Sequence, residues 1–153
     1  MGLAVFLSAA LAATTVLMHY EGLRRISLGV PRLPVFKRAK VIVIMFGVII
    51  LHLLEIALYA VGYWFGDVVI DIGDFTGHAV TFRDYMYFSI ETYTTLGIGD
   101  AYPVDSLRLI ASIESLNGLL LLGWSASFIY LEMQKYWDSD APARGRGSSA
   151  DQL

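Results

Sequence analysis

The chain has 153 residues, of which 56% are hydrophobic and only 16% charged, with a net charge of −3 and a mean hydropathy of +0.59. An ordinary soluble domain carries about a quarter charged residues, so this composition excludes one and points to the bilayer. Cysteine is absent, which excludes a disulfide framework and thiol chemistry, and the acidic balance offers nothing to attract nucleic acid.

A spanning helix needs roughly 20 mainly apolar residues, and three runs qualify: 3–18, 41–65 and 109–131. The first carries no charge, the second only His52 and Glu55, and the third only Glu114. Small residues around Ala10 to Ala13 make a cleaved signal peptide the rival reading of the first run. It lacks a basic n-region, however, and its positive charges follow it. The expectation is an extra N-terminal transmembrane helix over 1–20, then a basic connection over 21–40.

Orientation follows from the basic residues. Arg24, Arg25, Arg32, Lys37, Arg38 and Lys40 crowd the first connection, whereas 66–106 holds only Arg83 before Arg108, among Asp67, Asp71, Asp74, Asp84, Asp100 and Asp105. By the positive-inside rule the first connection is cytoplasmic, the N-terminus and 66–106 face out, and the C-terminus is inside a multi-pass cell-membrane protein. Trp124, Tyr136 and Trp137 read as interface anchors, and 134–153 as a disordered cytoplasmic tail.

The outer connection has an outer loop over 66–81 and then a change of character. Thr81 and Asp84 sit three apart like a capping box, with Asp in the usual Glu place, and open a short amphipathic helix over 82–94. Such a helix is too short to span, so it re-enters the membrane. The stretch that follows, 95–100, holds Gly97 and Gly99, which admit backbone angles that a Cβ resists. Non-helical backbone at membrane depth survives only where protein or water covers it, and a row of inward carbonyls replaces the water shell of a small monovalent cation.

The string YFSIETYTTLGIGDAYP, Tyr87 to Pro103, resembles the pore helix and selectivity filter of potassium channels, whose filter usually reads T-V-G-Y-G-D. The resemblance covers a two-helix-plus-pore-loop unit over 41–133, with an inner helix over 106–133, and leaves the first span outside it. It implies an all-α membrane protein of three transmembrane helices plus a re-entrant pore helix and filter loop, assembled as a homotetramer in the lipid bilayer. It also implies a potassium-selective channel with K+ as permeant ion, no cofactor and no catalysis. Thr95, Leu96, Gly97 and Ile98 would coordinate K+ through their carbonyls, with Gly99, Asp100 and Glu91 supporting the filter. Ile98 stands where the family usually has tyrosine, so it packs without a hydroxyl, and a non-selective monovalent cation pore is the alternative. Glu91 and Asp100 match a pair that approaches behind the filter, where two close carboxylates share one proton. Gly118 falls where relatives often place a hinge glycine, and small-residue packing explains it equally.

The remaining polar residues of the spans form a second set. His52 and Glu55 are an i, i+3 pair on one face, and Glu55 and Glu114 lie at comparable depths, so His52, Glu55 and Glu114 are a candidate intramembrane cluster. They read as an interhelical polar contact, a proton-sensitive gate or, joined by His19, the working site of a small sensor or metal-handling protein. No helix repeats arginine at every third position, which argues against a voltage sensor. No nucleophile with a base partner and no phosphate loop is present, so no enzyme is expected.

Overall fold

The computed structural model describes residues 1–76 and 81–137. Four helices dominate it: α1 (Gly2–Gly29), α2 (Lys37–Trp64), α3 (Phe82–Tyr93) and α4 (Leu107–Trp137). Gly2–Arg32, Lys37–Val69 and Leu107–Tyr136 are long and apolar enough to cross a membrane, so the chain is a three-span all-α membrane protein. The proposed disordered tail lies outside the described residues from 138 on, while 134–137 continue α4.

Helix α1 does not stop with its apolar run but continues from Met18 to Gly29. Glu21 accepts from Arg24 and Arg25 at i+3 and i+4, pairs that stabilise an exposed helical face, and Leu23 is buried against α2 with Ile44, Val48 and Leu51. Much of the expected basic connection is therefore helix, and the link proper is a short turn around Val30–Arg32. There Arg32 donates to the Leu28 carbonyl at 2.8 Å and Lys40 to the Pro31 carbonyl at 2.9 Å, satisfying carbonyls that the helix end leaves open.

Helix α1 packs against both α2 and α4. Its buried positions, Ala4, Ser8, Leu11, Thr15, His19 and Leu23, recur every three or four residues, which is one helical face. The approach is close because glycines line it: a Cβ on Gly22 would lie 2.6 Å from Leu51, and one on Gly62 would lie 2.5 Å from Leu11. Small residues at such crossings let membrane helices gain dispersion contact without a hydrophobic driving force. Side chains such as Phe6, Leu17, Phe46, Ile50 and Leu54 stay exposed, suited to acyl chains.

Helix α3 opens as its capping residues predict. The Thr81 backbone N–H donates to Asp84 Oδ2 at 2.6 Å and the Thr81 hydroxyl to the same oxygen at 2.9 Å. These bonds, the backbone one first, hold the Asp84 carboxyl below its ordinary range. Edge-to-face contacts of Tyr63, Phe75, Tyr85 and Phe88, with centroids 5.1 to 5.7 Å apart, seat the helix against α2. Burial, and then the Asp67 carboxylate that accepts from its hydroxyl at 2.5 Å, raise the Tyr85 phenol above its usual value. A two-residue antiparallel pair, β1 (Phe75–Thr76) with β2 (Tyr102–Pro103), ties the segment after α2 to the segment before α4.

Candidate functional site: the filter segment and the polar layers behind it

The segment after α3 has an alternating backbone. Thr95, Gly97 and Gly99 have φ of 59°, 61° and 85°, while Leu96 and Ile98 between them stay outside the positive-φ region. Alternating handedness turns successive carbonyls to one side and successive N–H groups to the other. The N–H side is occupied: Leu96 and Gly97 donate to the Glu91 carbonyl at 2.8 and 3.3 Å, and Gly99 to Glu91 Oε2 at 3.4 Å. Among the described residues nothing donates to the carbonyls of Thr95, Leu96, Gly97 or Ile98. Leu96 and Ile98 are 66% and 61% exposed in the single chain. Among the described residues the carbonyl edge stays open and these apolar side chains stay largely exposed.

Glu91 and Asp100 line one pocket with Ile98, between α3 and the far end of the segment. Among the described residues no hydrogen bond joins the two carboxylates, and the Glu91 carboxylate accepts from the Gly99 N–H.

Gly118 sits against the end of α3. A Cβ there would lie 2.4 Å from the Tyr93 carbonyl oxygen and 3.0 Å from its ring. The absence of a side chain at this glycine lets α4 pack closely on α3.

The intramembrane polar residues fall into separate layers. Glu55 is fully buried and accepts from three side chains: His19 Nδ1 at 2.8 Å, His52 Nδ1 at 3.0 Å and the Tyr93 hydroxyl at 2.5 Å. Ser125 Oγ stands 3.0 Å from His52 Nε2 and 3.2 Å from His19 Nε2. Glu114 does not join them. It accepts from Tyr63 and, at 2.5 Å, from Ser89, whose hydroxyl also lies 2.8 Å from the Ile56 carbonyl. Glu55 and Glu114 thus secure α3 at two points along its length. A third layer has Asn117 Nδ2 donating to Thr15 Oγ1 at 2.7 Å and to the Tyr59 hydroxyl at 3.1 Å. Near the end of the spans Ser27 donates to Glu132 at 2.8 Å.

Sequence reasoning paired His52 with Glu55 and named His19 as a further member, but did not single out Tyr93, Ser125, Thr15, Asn117, Tyr63 or Ser89. The legible signal was the row of small and polar residues at helical spacing on α1, Ser8, Thr15 and His19. Trp124, expected as an interface anchor, has its ring 5.3 Å from that of His19 and 6.4 Å from that of Tyr20. It packs over the Glu55 layer.

Against known proteins, residues 39–135 match the family model described as Ion channel. No curated protein and no solved structure gives a match.

Proposed function

The chain belongs to the ion channel family, and from that premise we propose that it forms a homotetrameric, potassium-selective pore through which K+ passes down its gradient. The observation that carries this reading is the alternating backbone of Thr95 to Gly99, with N–H groups turned to Glu91 and carbonyls left free. Carbonyls of Thr95, Leu96, Gly97 and Ile98 act in place of the hydration shell of a monovalent cation. One chain supplies one quarter of each ring, and four copies around an axis close the site. Closure also covers the exposed Leu96 and Ile98 side chains.

The C-terminal end of α3 points the negative end of its dipole toward the filter, favouring a cation there. Gly99, Asp100 and Glu91 support the filter from behind, with the Gly99 to Glu91 bond as the visible contact. Ile98 fills the place of a packing side chain without a hydroxyl. The chain is oriented with its N-terminus outside and its C-terminus in the cytoplasm, by the basic residues around Arg24 to Lys40.

Purified protein in liposomes tests this directly. Under an outward K+ gradient, flux is expected with K+ and a much smaller one with Na+. Equal flux of both ions would reassign the protein as a non-selective cation pore, and no flux of either would remove the conduction reading. A tag at the N-terminus should be reachable from outside intact cells and one at the C-terminus should not.

A further inference from the structure

Where α1, α2, α3 and α4 meet below the filter, a set of donor atoms converges that ion conduction does not use. His19 comes from α1, His52 and Glu55 from α2, Tyr93 from the last residue of α3 and Ser125 from α4. One ligand atom each of His19, His52 and Glu55 lies within 4.8 Å of the others.

Every buried side-chain nitrogen and oxygen here has a neighbour at hydrogen-bond distance, yet with both rings neutral the protons come out one short. An ionised carboxylate accepts only, and Tyr93 has one proton, which it donates to Glu55 Oε2. Both histidines face that carboxylate with Nδ1, so both Nδ1 atoms must carry a hydrogen. Neutral rings then present two bare Nε2 atoms to Ser125 Oγ, and a hydroxyl has one proton to give. One of the two contacts is then lone pair against lone pair, unless one ring carries a second proton beside the carboxylate or an ion replaces the Nδ1 hydrogens.

A metal ion in place of the Nδ1 protons closes the count. Both Nε2 atoms become N–H donors, and Ser125 Oγ has two lone pairs to receive them. Metal-bound histidines usually donate the other ring N–H to a protein oxygen in this way, which fixes the ring orientation. We propose that His19 Nδ1, His52 Nδ1, the Glu55 carboxylate and the Tyr93 oxygen bind one divalent transition-metal ion per chain, Zn2+ in the first instance, with Ser125 as the positioning residue.

The separations are shorter than that ion needs, by less than about 1 Å. Neighbouring donors stand 2.8, 3.0, 2.9 and 2.5 Å apart, from His19 to Glu55, His52 to Glu55, His52 to Tyr93 and Tyr93 to Glu55. Bonds of about 2.0 to 2.2 Å in a tetrahedral site need edges of roughly 3.3 to 3.5 Å, so a spread of less than about 1 Å seats the metal. Two imidazoles among four donors favour Zn2+ over Mg2+ or Ca2+, which demand oxygen. The His52 side chain is 12% exposed, which leaves an ion one side of approach. Occupancy would join α1 to the end of the pore helix and so bear on the filter; that consequence rests on the channel reading, whereas binding does not.

The test uses the full chain purified in detergent and stripped with a chelator, with Zn2+ alone titrated against a chromogenic competitor. One Zn2+ per chain is expected, with His19→Gln and His52→Gln weakening it at least about tenfold, Ser125→Ala by roughly tenfold, and Glu114→Gln leaving it unchanged. Co2+ loading of the parent should give visible absorption bands of a nitrogen–oxygen site, a readout that needs no variant. A parent that elutes as a folded assembly and takes up neither ion overturns the proposal, as do histidine variants that bind like the parent. Flux that responds to pH without any metal uptake also overturns it and assigns the cluster to proton sharing. Zn2+ bound by a protein that passes no ion would sink the channel reading and leave the metal site standing.

Discussion

Gly118 of α4 lies directly against Tyr93, the last residue of α3, so closely that its missing side chain is what admits the Tyr93 carbonyl: a Cβ would stand 2.4 Å from that oxygen. Tyr93 is at the same time held by Glu55 through its hydroxyl at 2.5 Å. The end of α3 is thus clamped by its backbone against α4 and by its side chain against α2, two residues before the alternating segment begins at Thr95.

That clamp predicts the behaviour of Gly118→Ala. As a helix-interior change it should stabilise by up to about 1 kcal/mol, but backbone stands in the way and must move, at a cost of about 1 to 3 kcal/mol. The expected outcome is a lower melting temperature of the purified assembly and reduced K+ flux. A variant that is more stable and merely opens more slowly would identify a hinge instead.

Gly97 and Gly99 are in the opposite situation. A Cβ on Gly97 or Gly99 would meet nothing within 4 Å of the chain, so Gly97→Ala and Gly99→Ala suffer only from their positive φ. Left-handed backbone costs an L-residue about 1 to 2 kcal/mol, too little to unfold three packed spans but enough to re-aim a carbonyl. Both variants should elute like the parent and lose K+ flux. Undiminished flux in either would count against carbonyl coordination there.

The attachment of α1 is open to a double-mutant cycle on Thr15 and Asn117, whose side chains are bonded at 2.7 Å. Membrane hydrogen bonds couple by about 0.6 kcal/mol on average and up to about 1.7. Thr15→Val and Asn117→Leu should each lower stability in a denaturant titration, and the double variant should lose less than their sum. Strict additivity would mean that packing at Gly22 and Gly62 holds the helix without this bond.

Acid should loosen the start of the pore helix through Asp84. Its carboxyl is depressed by the Thr81 backbone and hydroxyl bonds, so its contribution is present above the ordinary aspartate value of about 3.9 and is lost as pH falls through the lower, folded value. Asp84→Asn should be less stable than the parent at neutral pH, and the gap should narrow as both are acidified below pH 4. Parallel stability curves across that range would show that the cap contributes no pH dependence.

Much of this architecture was open to a reading of residues in order. Spans follow from hydropathy averaged over a turn or more, which does not depend on what the helix touches, and the entry to α3 follows from Thr81 and Asp84, three apart. The open filter backbone follows from Gly97 and Gly99, since the freedom they supply is a property of the residue. Helix ends were less legible. Helix α1 ran past Met18 because local ion pairs and Leu23 extended it after hydropathy had fallen.

What the sequence by itself determined, then, is set by local pattern: three spans, a short capped helix between the second and third, and a segment able to alternate its backbone. Tertiary structure alone decided the partners. His52 and Glu55 share a face of α2 by spacing, but Glu55 met His19 and Tyr93 rather than Glu114, which was taken by Tyr63 and Ser89. The physical reason is that helical periodicity specifies which side chains lie on one face and leaves free the rotation, tilt and depth of the neighbouring helix. Those are set where glycines permit contact, at Gly22, Gly62 and Gly118, and only then does a buried carboxylate acquire its donors.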